Sequence, residues 1–375
     1  MHYLDNAATT RVLPEAAEAA VHAMCEGFGN PSSLHKMGIE ASHLLEDSRK
    51  TVASALGCLP EETYFTSCGT ESTNISLRGA AHLNRHKKGR IITTGIEHAE
   101  TLNTCKQLAA EGFDVVFLAP DGTGHITPAA LEEALTADTI LLSCQLVNNE
   151  IGTVQPVAEL GALLKAKAPG ALFHIDAVQG LCRVPLTPKK WNCDLMSVSG
   201  HKIGAPKGIG ALYVKKGLRL PPLMFGGGQE KGMRPGTEPL PNIAAFAKAC
   251  AIRMAHFDED FAHVAELAAY LKEQAVANLP DAAFNGEGDV PHVVNLSIPG
   301  CKSEVMLRVL EGDEVYVSSG SACSKGKQSG VLKALGLPKA RTDSAIRVSF
   351  APFNTKEDVD AFIAAAQKGV KMLRR

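Results

Sequence analysis

The chain has 375 residues, 45% of them hydrophobic and 21% charged, an ordinary globular composition with apolar material for more than one domain. Lys and Arg number 38 against 40 Asp and Glu, and a formal charge of −2 gives no general attraction to nucleic acid or anionic membranes. No apolar run reaches a membrane span, MHYLDNAATT has no signal-peptide pattern, and ten cysteines lie scattered without a CxxC pair, so a cytoplasmic protein with reduced thiols is expected.

From about Thr63 to Val214 short β-rich runs alternate with helical stretches. TYFTS, RIITTG, DVVFLA, TILLSCQL, LFHIDA, DLMSVS and GIGALYV read as strands, with helical patterns such as HAETLNTCKQLAAEG and PVAELGALLKAKA between the earlier ones. Such alternation predicts crossover connections and a mostly parallel sheet covered on both faces, an α/β architecture. Ligands of such sheets sit beyond the carboxyl ends of the strands. After FGGGQEKGMRPGTEP the pattern changes. Two long helical stretches from about Pro239 to Leu279 precede strand VVNLSI, helix KSEVMLRVL, strand VYVSS, the segment around Cys323, strand AIRVSF and a last helix from about Thr355. These predict a smaller α+β domain that the N-terminal residues join. The expected division is a large domain over 15–255 and a small domain of 1–14 and 256–375, with a loop over 318–330 carrying Cys323.

Chemistry-bearing residues fall at the strand ends. In SVSGHKIGAPKGIGALYV, Ser199, His201 and Lys202 follow a strand directly. Lys202 is either a solvated charge or an imine-forming lysine, whose amine becomes nucleophilic when desolvation or a neighbouring cation lowers its pKa. In LFHIDAVQG, Asp176 closes an apolar strand and Gln179 follows. Asp176 either caps a turn or, beside such a lysine, holds a cofactor's pyridine nitrogen protonated. In FTSCGTESTN, Gly69 and Thr70 open a helix, as an ordinary N-cap or as a phosphate seat. His98 in GIEHAET lies at another strand-to-helix junction, and Asn149 at a further strand end. Cys182, Cys193, His174 and His201 lack zinc pair spacings, so no metal is expected.

In YLDNAATT, GNPSSLH, FTSCGTES, IEHAE, VNNEIGTVQP, HIDAVQ, SVSGHKIGAPKGIGALYV, GGGQEKGMRPGTEP, SSGSACS and IRVSF, taken in order, the chain resembles the cysteine desulfurases of the NifS/IscS type, in the class-V aminotransferase fold, over essentially its full length. The resemblance implies a fold type I pyridoxal 5′-phosphate transferase, a homodimer, and conversion of L-cysteine to L-alanine with sulfur passed to an acceptor protein, an iron–sulfur scaffold or a tRNA-thiolating enzyme. It implies that Lys202 bonds the cofactor and shuttles protons, that Asp176 meets the pyridine nitrogen and Gln179 the phenolic oxygen, that His98 lies on the ring face and helps proton transfer, and that Asn149 also borders the cofactor. Gly69, Thr70, Ser199 and His201 would seat the phosphate, with Thr237 reaching the partner's phosphate. Arg347, helped by Asn149 and Asn30, would grip the substrate carboxylate, a task suited to a guanidinium fork.

Cys323, in VSSGSACSKGKQSG, becomes by resemblance the nucleophile that takes the substrate's sulfur as a persulfide. Its Ser, Gly and Lys neighbours supply backbone freedom and solvation, and Lys325 and Lys327 favour the thiolate. Three positions depart from the family pattern: Cys68 in the phosphate loop, Ala351 near Arg347, and Glu238 after Thr237. A selenocysteine lyase or another class-V aminotransferase would use nearly the same lysine and aspartate, and a silent sulfur-carrier scaffold would not need them.

Overall fold

The computed structural model describes residues 1–320 and 328–374; residues 321–327, with Cys323 among them, and Arg375 lie outside the described residues. Among the described residues the chain opens with β1 (His2–Tyr3), α1 (Pro14–Cys25) and α2 (Lys36–Leu56). An alternating stretch follows: β2 (Thr63–Thr66), α3 (Gly69–Leu83), β3 (Arg90–Thr94), α4 (Ala99–Ala110), β4 (Asp114–Leu118), α5 (Pro128–Ala134), β5 (Thr139–Gln145), α6 (Val157–Lys167), β6 (Leu172–Asp176), β7 (Leu195–Ser199) and β8 (Gly210–Val214). Helices α7 (Leu240–Ala255) and α8 (Phe257–Asn278) lead to β9 (Ala283–Phe284), β10 (Val293–Ser297), α9 (Ser303–Gly312) and β11 (Val315–Tyr316). The chain closes with α10 (Gly330–Ala334), α11 (Lys339–Thr342), β12 (Ala345–Ser349) and α12 (Lys356–Leu373).

The main sheet has the order β2-β8-β7-β6-β5-β3-β4. Its pairs from β7 through β4 are parallel, as the βα alternation requires. β8 runs antiparallel to both β7 and β2, because the β7–β8 connection contains no crossover helix. Period-two alternation then sorts the side chains. Ile92, Leu142, Phe173, Met196 and Tyr213 pack with apolar residues of α1, α2, α5, α6 and α7. Their neighbours Ile91 and Leu141 meet Leu77 and Ala80 of α3 and Leu108 of α4 on the other face. Each large side chain fully buried this way contributes about 1.5–3 kcal/mol. Helix α2 stops at Gly57, whose φ of +65° lets its N–H bond back to Ala53 and Ser54.

A second sheet sets β10 between β12 and β9, all antiparallel. Leu296, Ile346 and Val348 from it pack with Leu267 and Leu271 of α8, Met306 of α9 and Phe362 of α12. β1 pairs in parallel with β11, and Asp5 bridges Ser349. VYVSS yields only a two-residue strand, because Ser318 turns away to bridge Arg347. From Asp5 the N-terminal segment crosses to the main sheet, where Thr10 N donates to His201 O at 2.9 Å. This crossing lays Ala7 and Ala8 against the carboxyl edge of β7. No helix among the described residues is long and apolar enough to cross a membrane.

Candidate active site

The carboxyl ends of β2, β3, β5, β6 and β7 open onto one cavity of about 230 Å³. The turn after each strand delivers a polar group: Gly69 and Thr70 after β2, His98 after β3, Asn149 after β5, Gln179 after Asp176 of β6, and His201 and Lys202 after Ser199 of β7. β12 brings Arg347 to the same cavity from the second sheet. Parallel strands point all their carboxyl ends one way, so sequence-distant groups converge without any special device.

Lys202 Nζ donates to the carbonyl oxygens of Ala7 and Ala8 at 2.7 and 2.8 Å. Burial, then the Arg347 and Arg183 guanidinium groups, bring its amine down to about 8, so the neutral nucleophile is accessible near neutral pH. Asp176 accepts from Val178 N at 2.9 Å and has no ion-pair partner among the described residues. Burial, with Glu100's charge adding, lifts its carboxyl to about 7. A cation placed beside it would restore the ionised form.

A corner suited to an anion lies at the start of α3, whose first N–H groups have no partner within the helix. A Cβ on Gly69 would lie 2.8 Å from Val178 Cγ2, so glycine permits this close approach. Ser199 Oγ is buried with no partner among the described residues. Burial and the Lys202 charge push His201 down to about 4, leaving it neutral. Arg347 is 1% exposed; Nη2 donates to Asp5 Oδ1 and Nη1 to Asn149 O, both at 2.8 Å. Gln179 Nε2 donates to Ala7 O at 2.9 Å, and Arg183 Nη2 donates to Lys202 O at 2.8 Å. Under the floor, His174 bridges Ser143 and Ser197 at 2.9 and 2.8 Å; burial drives it to about 3, a neutral structural link.

Gly69, Thr70, His98, Asn149, Asp176, Gln179, Ser199, His201, Lys202 and Arg347 are thus gathered in one place. Asn30 and Thr237 are not: both are exposed, and Asn30 Oδ1 accepts from Ser32 N at 2.9 Å. Cys323 lies outside the described residues, yet the residues flanking its segment abut the site. Ser318 and Arg347 exchange backbone bonds of 2.7 and 3.2 Å, and Ser329 Oγ donates to Glu150, next to Asn149. Cys68 lines the cavity as the N-cap residue of α3.

Three carboxylates were missed by sequence reasoning. Asp5 holds Arg347. Glu97 is buried and accepts from Thr94 Oγ1 at 2.7 Å and Gln145 N at 2.9 Å; burial lifts it to about 8. Glu100 accepts from Thr70 Oγ1 at 2.6 Å. Their only local signal was position, within two residues of His98 in GIEHAET or inside LDNAATT.

A buried amine of lowered pKa, a buried carboxylate with no ion-pair partner among the described residues, a helix start facing the cavity and a held guanidinium define the site of a lysine-imine enzyme, built for a phosphate-bearing pyridine cofactor and a carboxylate substrate. The chain belongs to the class-V aminotransferase family, which matches residues 2–362. It is 40% identical to a cysteine desulfurase of Trichormus azollae over 376 residues, 99% of this chain and 93% of that one. A solved NifS-like protein superposes with a TM-score of 0.93 at 37% identity, covering 99% of both chains. The structure of SspA in complex with cysteine gives 0.84 at 34% identity, covering 95% of this chain and all of that one. The fold is that of the fold type I transferases, and the cofactor of this family is pyridoxal 5′-phosphate. The residues present fit it: among the described residues Asp176 has no ion-pair partner and Ser199 Oγ has no hydrogen-bond partner, and Gly69 allows a close approach at the start of α3.

Proposed function

We propose that the chain is a cysteine desulfurase, converting L-cysteine to L-alanine and collecting the sulfur as a persulfide on Cys323. The observation that carries this is the meeting of Lys202, Asp176 and Arg347 at one cavity, with both described flanks of the Cys323 segment bonded to Arg347 and Glu150. Lys202 would hold the cofactor, Asp176 its ring nitrogen, and Thr70, Ser199 and His201 its phosphate. When bound, the cofactor supplies an electron sink for carbanion chemistry at the substrate α-carbon.

The chain's own residues do the rest. Arg347, fixed by Asp5 and Asn149, binds the substrate carboxylate and sets which bond faces the ring. The amine of Lys202 moves the α-proton, for which a pKa near neutrality suits it. The Cys323 thiolate forms a bond to the substrate sulfur as the bond from sulfur to the β-carbon breaks. The electron pair stays with carbon, which takes up a proton to leave alanine.

We read 15–255 as the large domain and 1–14 with 256–375 as the small one. A homodimer accounts for Asn30 and Thr237, which miss their own cavity, and for exposed apolar residues in the same two chain segments: Phe28 is 65% exposed, Leu34 94% and Phe225 90%. The described cysteines are all unpaired, in keeping with a cytoplasmic site of action. The persulfide would pass to a sulfur-acceptor protein. Incubating the pure, cofactor-loaded protein with L-cysteine and a thiol reductant, and measuring alanine and sulfide together, tests the activity. Equal amounts of both are expected. 3-Mercaptopyruvate formed only when a keto acid is added would mark an aminotransferase instead.

A further inference from the structure

Glu100 is the charged group in this cavity to which the proposed chemistry gives no task. It stands in the first turn of α4 with its side chain 8% exposed, and it reaches across to α3. Thr70 Oγ1 donates to its Oε2 at 2.6 Å and Thr73 Oγ1 to its Oε1 at 3.4 Å. His98 Nδ1 lies 3.1 Å from Oε2. A Cβ on Gly69 would come within 3.6 Å of Oε1, so the carboxylate rests against the first turn of α3. That turn, with Thr70, is the corner where the cofactor's phosphate belongs. Here the chain's own anion engages it.

Two anions cannot share this corner unchanged. The Thr70 hydroxyl has one hydrogen, which serves either Glu100 or a phosphate oxygen. Like charges side by side in a largely buried site disfavour joint ionisation. Other ionisable groups face Glu100 from every side: His98 at the N-cap of its helix, Glu97 before it, His174 and Asp176 on β6, and His201 and Lys202 after β7. Burial works against its charge, but His98 and Thr70 outweigh burial and hold Glu100 below the ordinary carboxylate value, so it is ionised before the cofactor arrives.

We infer that Glu100 is a self-supplied anion in the phosphate seat: cofactor binding takes the Thr70 hydrogen from it, and its carboxylate, wedged between α3 and α4, accepts one proton from solvent. Cofactor capture is then proton-linked and opposed by the chain's own carboxylate. This rests on the cavity being the pyridoxal 5′-phosphate site.

The test titrates full-length protein, stripped of cofactor, with pyridoxal 5′-phosphate and separately with phosphate-free pyridoxal, for the parent chain and E100Q. One proton gained on binding makes affinity fall about tenfold per pH unit. Between about pH 6.5 and 8.5 the parent should lose affinity for pyridoxal 5′-phosphate by that slope relative to E100Q, and the variant should bind at least about a hundredfold tighter at the upper end. Pyridoxal should bind both alike. Calorimetry in buffers of different ionisation enthalpy should find about one more proton taken up by the parent. Equal affinity and equal proton uptake, or weaker binding by E100Q, would overturn the inference while leaving the cofactor assignment standing. A parent chain that bound no pyridoxal 5′-phosphate would remove both.

Discussion

Lys202 and Arg347 show how the same burial acts on two cations. Lys202 is pushed toward its neutral, reactive form, whereas a guanidinium keeps its charge and must be paired. Replacing Lys202 with Ala should abolish the cofactor's visible imine absorbance and lower turnover by more than about a thousandfold, read by spectrophotometry and alanine release. Asp5→Ala should cost on the order of 3–5 kcal/mol, because Arg347, 1% exposed, would lose its carboxylate partner; denaturant unfolding measures this. Arg347→Lys should raise KM for cysteine by about ten- to a hundredfold while the cofactor spectrum is kept, since a point charge replaces a planar fork. Lys202, Asp176, Ser199 and His98 were legible in the sequence because each ends a strand, closely follows one or opens a helix, where local pattern speaks. Glu97, Glu100 and Asp5 were not, because acidic residues at a helix start or in a loop look like solvated charges until the fold buries them.

At the scale of elements, the start of α3 carries the most consequence. Gly69→Ala would drive a Cβ to 2.8 Å from Val178 Cγ2, and the helix start must shift away. Cofactor affinity should fall by about tenfold or more, measured by equilibrium titration, with thermal stability changing far less. The βα alternation and the covering helices followed from runs such as TILLSCQ, buried along its whole length. The two-residue strands β1 and β9 escaped notice because their pairing lies in distant partners, His2 with Val315 and Phe284 with Leu296, and two residues carry no period. The same limit applies to Asn30 and Thr237: a motif names a residue but not the cavity, or the subunit, that it serves.

For the whole molecule, buried carboxylates set how the cofactor-free chain responds to pH. Glu97, lifted to about 8 by burial, stays protonated in the folded chain over a range where the unfolded chain has already lost that proton. Its contribution is therefore fully present below about pH 4 and is lost as pH rises through about 8. Thermal melts of the cofactor-free protein should fall across that window, and Glu97→Gln should flatten the fall. Assembly is the other whole-molecule property: for the proposed homodimer, Phe225→Glu, at a position 90% exposed, should weaken self-association in sedimentation and lower activity with it.

Mass spectrometry of the protein after a single turnover with L-cysteine probes the sulfur-transfer step itself. The parent chain should gain one sulfur on Cys323 as alanine appears, and Cys323→Ala should bind cysteine, keep its cofactor and yield neither. Alanine released by Cys323→Ala at the parent rate would contradict the assignment of that thiol as the sulfur acceptor.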